Sequence, residues 1–65
     1  MNAWDFEKAL TAAGVTFRKD WFMSNQFHGT RFTFGKKEIK KVEQALPASK
    51  IYIKAYFKEW CLEVF

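Results

Sequence analysis

The last fifteen residues, IYIKAYFKEWCLEVF (51–65), decide how the chain is read. The run is too long for one ordinary strand, whose usual length is about five or six residues. Its apolar phase also slips: Ile51, Ile53, Ala55 and Phe57 fall on odd positions, whereas Trp60, Leu62 and Val64 fall on even ones. Successive side chains of a strand point to opposite faces, so one uninterrupted strand would bury only half of this set. A tight turn at Lys58-Glu59 restores a single apolar face, with Phe57 opposite Trp60. The C-terminus therefore reads as a hairpin.

Upstream, Ile39, Val42 and Leu46 recur at helical spacing between Gly35 and Pro47, with Lys36, Lys37, Lys40 and Lys41 on the wet side. Before that helix the period is two. Val15, Phe17 and Trp21 alternate with Thr16, Arg18 and Asp20, and Thr30, Phe32 and Phe34 alternate with Gly29, Arg31 and Thr33. The polar break Met23-Ser24-Asn25-Gln26 joins these two strands. Lys19 interrupts the apolar face of the first, either where the helices no longer cover the sheet or at a bulge. At the N-terminus, Asn2 is a helix cap with Asp5 three residues on, and Phe6, Ala9, Leu10 and Ala13 carry a helix over 3–13 until Gly14 ends it.

The order α-β-β-α-β-β predicts an α+β domain: a two-layer sandwich with a four-stranded, mostly antiparallel sheet and two helices on one face. The halves 2–34 and 36–65 superpose at an offset of 36 residues, with Leu10 on Leu46, Val15 on Ile51, Phe17 on Ile53 and Trp21 on Phe57. Duplication of an αββ unit accounts for this. So does the small and apolar composition shared by any two helix-to-strand junctions.

Sixty-five residues make one domain, 1–65, near the lower limit for autonomous folding, so the core must be dense. Eight Phe, three Trp and two Tyr supply that density. Cys61 is the single cysteine, which excludes an intramolecular disulfide and points to a reducing, cytoplasmic setting. The clustered Cys and His of a metal framework are absent, and no cofactor is expected. No apolar run approaches a membrane span and no signal-peptide pattern opens the chain, so no membrane association is expected. A net charge of +4 favours acidic partners.

Parity also predicts the sheet face turned away from the helices. The first hairpin offers Arg18, Asp20, Phe22, Phe27, Gly29 and Arg31; the second offers Tyr52, Lys54, Tyr56, Lys58, Cys61 and Glu63. Aromatics interleave with cations, an arrangement analogous to sheet-face RNA binders, in which Phe22, Phe27, Tyr52 and Tyr56 would stack bases while Arg18, Arg31, Lys54 and Lys58 meet phosphates. Helix two adds Lys36 and Lys37 at its start, against the helix dipole, where an anion would reconcile them; Glu38 close to the first turn does so equally well. Nucleic-acid binding by a small basic, non-enzymatic protein is the leading expectation. The alternative is a protein-interaction or inhibitor module of the kind viruses and mobile elements encode, binding a host or partner protein, an acidic surface included, through the same aromatics. Self-association through that face would relieve the small core.

Two catalytic readings fail on spacing. Gly29 to Gly35 followed by Lys36 invites comparison with the nucleotide-binding loop, but five residues separate the glycines where four are required, and Lys37 stands where Ser or Thr would hold magnesium. His28 is the only residue of the type used for acid–base chemistry near neutral pH, yet no second acid or base is placed by a recognisable motif.

Overall fold

A computed structural model describes the backbone of residues 2–65 and the side chains of residues 2–48 and 52–65. The elements run α1 (Ala3–Ala12), β1 (Arg18–Ser24), β2 (Phe27–Phe34), α2 (Ile39–Ala45), β3 (Lys54–Tyr56) and β4 (Glu59–Val64), with 3₁₀ turns at Lys36–Glu38 and Pro47–Tyr52. The strands form one antiparallel sheet in the order β1-β2-β4-β3. This is the α+β order read from the sequence. Helix and first strand of each half begin 36 residues apart, at Ala3 and Ile39 and at Arg18 and Lys54. The second strands begin only 32 apart, at Phe27 and Glu59, because the second hairpin is shorter.

Both ends of α1 are built by named residues. The Asn2 side chain accepts a hydrogen bond from the Asp5 amide at 3.0 Å. At the other end Gly14 takes a left-handed φ of 75°. That turn lets the Gly14 amide reach the Thr11 carbonyl at 3.1 Å and the Val15 amide reach the Leu10 carbonyl at 3.0 Å, the double closure of a Schellman motif. Leu10 and Val15, the two ends of the longer bond, are both core residues. The helix stop thus also delivers the chain to the sheet.

The core consists of Leu10, Val15, Phe32, Phe34, Val42, Leu46, Leu62 and Val64, with Phe17, Ile39 and Trp60 packed against it. Register puts Phe32 beside Leu62 and Phe34 beside Trp60, so the even positions of β2 and β4 face the helices. Phe17 meets Phe32 edge to face at 5.6 Å between ring centroids. Lys19 lies on that same side without entering the core, because its ammonium pairs with Glu7 of α1.

Four expectations need correction. The first hairpin loop is a two-residue turn at Asn25-Gln26 rather than four residues, and Asn25 adopts φ 57°, which asparagine tolerates. Both loop lengths are even, so the apolar register is unaffected. The second turn is Phe57-Lys58 and not Lys58-Glu59: Tyr56 pairs with Glu59, and Ala55, not Phe57, stands opposite Trp60. Phe57 is therefore 92% exposed instead of buried. Trp21 has the inward parity assigned to it but is exposed, because β1 is an outer strand that the helices cover incompletely. Lastly, the chain after Pro47 runs as a 3₁₀ turn through Tyr52, leaving only Lys54–Tyr56 as strand. The side chain of Ile51, assigned to the core from its parity, lies outside the described residues.

Phe57 holds φ 57°, a conformation costly for a bulky residue, at an exposed position of a two-residue turn. Phe57→Gly is expected to raise stability by about 1 kcal/mol, read as a higher midpoint in urea. Gly14→Ala should do the opposite by about 1 kcal/mol, since a Cβ there meets open space and only the backbone is strained.

Candidate functional site

The sheet face away from the helices is open in topology but roofed in practice. Arg31 lies at its centre, and its Nε and Nη2 both donate to Glu63 Oε2, at 3.1 and 2.9 Å. Nη1 donates to the Tyr56 hydroxyl at 3.3 Å. The guanidinium carbon lies 4.9 Å from the Phe22 ring centroid and 4.4 Å from that of Tyr56, so the cation bridges two aromatic faces. The other oxygen of Glu63 binds Lys54, and Arg18 reaches over β2 to Glu59 on β4, with Nη1 3.1 Å from Oε2. Beneath these side chains Cys61 and Thr33 are buried although no helix covers them.

Burial works against the Arg31 charge, but its hydrogen bonds to Glu63 outweigh it and the pKa rises. Burial likewise opposes ionisation of Glu63, and the donors Lys54 and Arg31 prevail, holding the carboxyl below its usual range. Burial first, and then the Glu63 charge, push the Cys61 thiol up, which leaves it a poor nucleophile.

Phe22 is held by a second contact. Register places it opposite Gly29, and a Cβ at Gly29 would come within 2.7 Å of its ring and 2.8 Å of the Val64 carbonyl. Its other edge packs on Phe65 at 5.1 Å. Gly29 is thus the floor on which the ring lies, and the glycine singled out in the sequence serves packing instead of phosphate.

The residues named as phosphate or base contacts consequently divide. Arg18, Arg31 and Lys54 share the face with Asp20, Glu59 and Glu63, so its charges balance. Phe22 is buried and Tyr56 is half-buried under Arg31. Tyr52 stands exposed on a 3₁₀ turn rather than a strand, Phe27 is exposed at the end of the first hairpin, and Lys58 is in the second turn. Lys36, Lys37 and Lys40 are exposed and, among the described residues, form no ion pair within 4 Å. Glu38 is buried beside them, its Oε2 3.6 Å from the Lys41 ammonium.

Sequence reasoning missed a second surface. Trp4, Trp21 and Met23 are 65%, 68% and 57% exposed. Trp4 and Trp21 flank a shallow cleft of about 360 Å³ that is also lined by Ala3, Asp20, Thr30 and the Glu7–Lys19 pair. Trp21 further touches the His28 ring, 5.9 Å between centroids, which accounts for the placement of the single histidine. Trp4 was the available signal: it stands outside the Phe6, Ala9, Leu10 stripe of the first helix.

Among the described residues no group of three His, Cys, Asp or Glu could hold a metal ion, and no helix is long and apolar enough to cross a membrane. Comparison of the chain with protein-family models, with curated proteins and with solved structures finds no match.

Two outcomes test the roof. Arg31→Lys should cost about 1–2 kcal/mol, because an ammonium cannot donate along the same directions while spanning two rings. Because the Glu63 pKa is lower folded than unfolded, its contribution is present above the unfolded value and lost as pH falls through the folded one. Glu63→Gln should flatten that acid limb of a urea-midpoint against pH profile.

Proposed function

We propose that this chain is a non-enzymatic protein-interaction module that docks a partner on Trp4, Trp21 and Met23. The observation that carries the reading is the exposure of Trp4 and Trp21 on one cleft, with Met23 exposed two residues further along the same face of β1, in so small a domain. Large apolar side chains left in water at one place oppose folding economy in a chain already short of core, and such patches mark contact surfaces. Tryptophan is also the residue type most enriched among binding hot spots. The balanced charges of the roofed sheet face support moving the contact away from Arg18, Arg31 and Lys54, whose engagement with phosphate would first have to break ion pairs with Glu59 and Glu63. His28 supports a non-enzymatic role, since its ring is used in packing on Trp21.

A second reading is favoured by one separate observation. Residues 1–24 carry three Lys or Arg and three Asp or Glu, whereas residues 25–65 carry eight and four, so the whole excess of +4 lies in the second part. Lys36, Lys37 and Lys40 supply its exposed, uncompensated share, and nucleic acid is the partner that such a patch suits.

Salt separates the two. Docking on the tryptophans should change little with ionic strength, whereas oligonucleotide binding should fall with a log–log slope of about −0.7 to −0.9 per phosphate neutralised. In a pull-down, Trp21→Ser should weaken a protein partner about 30-fold, the effect of a hot-spot truncation of about 2 kcal/mol, and leave oligonucleotide anisotropy unchanged. Lys36→Glu with Lys37→Glu should give the converse. A partner retained equally by wild type and Trp21→Ser would overturn the docking surface.

A further inference from the structure

We propose that the occupant of the Trp21 surface is a second copy of this chain, joined by antiparallel pairing of the two β1 strands about a two-fold axis. This rests on Trp4, Trp21 and Met23 being a protein contact, and goes on to name the partner.

β1 has a neighbouring strand on one side only, so seven residues of backbone edge face outward. Such an edge is a template for another strand unless side chains guard it. Of the three charged residues that open β1, Arg18 reaches over the sheet to Glu59 and Lys19 is held by Glu7, while Asp20 stands exposed. The remainder, Trp21 to Ser24, is uncharged. Charge distribution agrees with self-pairing, because α1 and β1 belong to the neutral first 24 residues. A contact there keeps the two lysine patches apart, although each copy carries +4.

The strand is also self-complementary. Centred on Phe22, an antiparallel pair sets Trp21 opposite the partner's Met23 on the helix side, a sulfur-to-indole contact. On the other side Asp20 meets the partner's Ser24, a charge-assisted hydrogen bond. Centring on Trp21 would instead bring the two Asp20 carboxylates into diagonal neighbourhood. Side chains of this size expose on the order of 130 Å² each when two-thirds open, so Trp4, Trp21 and Met23 offer about 400 Å² per copy. Two copies then bury about 800 Å² before the paired backbone is added, which fits a reversible dimer and not an obligate one.

Sedimentation velocity on a dilution series of the full chain at physiological salt tests this. The expected result is a monomer–dimer equilibrium with a Kd of about 10–100 µM. Trp21→Ser and Met23→Lys, both at exposed positions, should each weaken it at least about tenfold with unchanged circular dichroism. A chain that stays monomeric up to about 1 mM overturns the second copy. If a different protein then binds and is lost with Trp21→Ser, the docking surface stands and only its occupant changes. A dimer indifferent to both substitutions overturns the β1 contact.

Discussion

The contact between Arg31 and Glu63 closes the side of the sheet that the helices leave open. A two-layer domain of 65 residues has helices for only one side of its sheet, and the other side must be finished with side chains. Arg31 provides the cover because a guanidinium can donate in its plane to Glu63 and Tyr56 while presenting its faces to Phe22 and Tyr56. Glu63 in turn accepts from Lys54. The row runs from β1 to β3 and ties together strands distant in sequence. Its dependence on Gly29 is direct, since any side chain there would lift Phe22 from the sheet.

This cover explains how a buried cysteine comes to lie on the face without helices. Cys61 and Thr33 are adjacent across β2 and β4, and the stems and heads of the charged residues close over them. Partly buried ion pairs contribute modest net stability because desolvation offsets attraction. Their larger effect here is on availability. An arginine already bound to a carboxylate and two rings is a poor phosphate ligand, which is why the same residues that suggest nucleic-acid binding in sequence read differently in space.

Much of the architecture was legible from period and capping alone. Asn2, Gly14, Pro47 and the phase slip after Phe57 mark boundaries by local chemistry, and local chemistry is what a sequence displays. The residues misread from sequence have two causes. Trp21 has the correct apolar character and the correct parity, but parity says which face a residue points to and not whether anything covers that face, and the order β1-β2-β4-β3 puts Trp21 on the rim. Phe57 lacks the strand parity read from its position, because the turn takes in Phe57 itself. Ion pairing was illegible because, like coverage, it depends on strand order: Arg18 and Glu59 lie 41 residues apart, and neither reveals the other.

The lysines without an ion pair and the exposed tryptophans belong to different parts of the chain. Lys36, Lys37, Lys40 and Lys41 surround the start of α2, where Glu38 is buried beside them and Lys41 also donates to the Gly14 carbonyl at 3.4 Å. The exposed indoles belong to the neutral first 24 residues. Lys19 does line the tryptophan cleft, and its pairing with Glu7 compensates its charge beside the indoles. The lysine patch and the indoles can therefore act independently, and it is β1, one of the two outer strands, with Arg18 paired to Glu59 and Lys19 to Glu7, that carries Trp21.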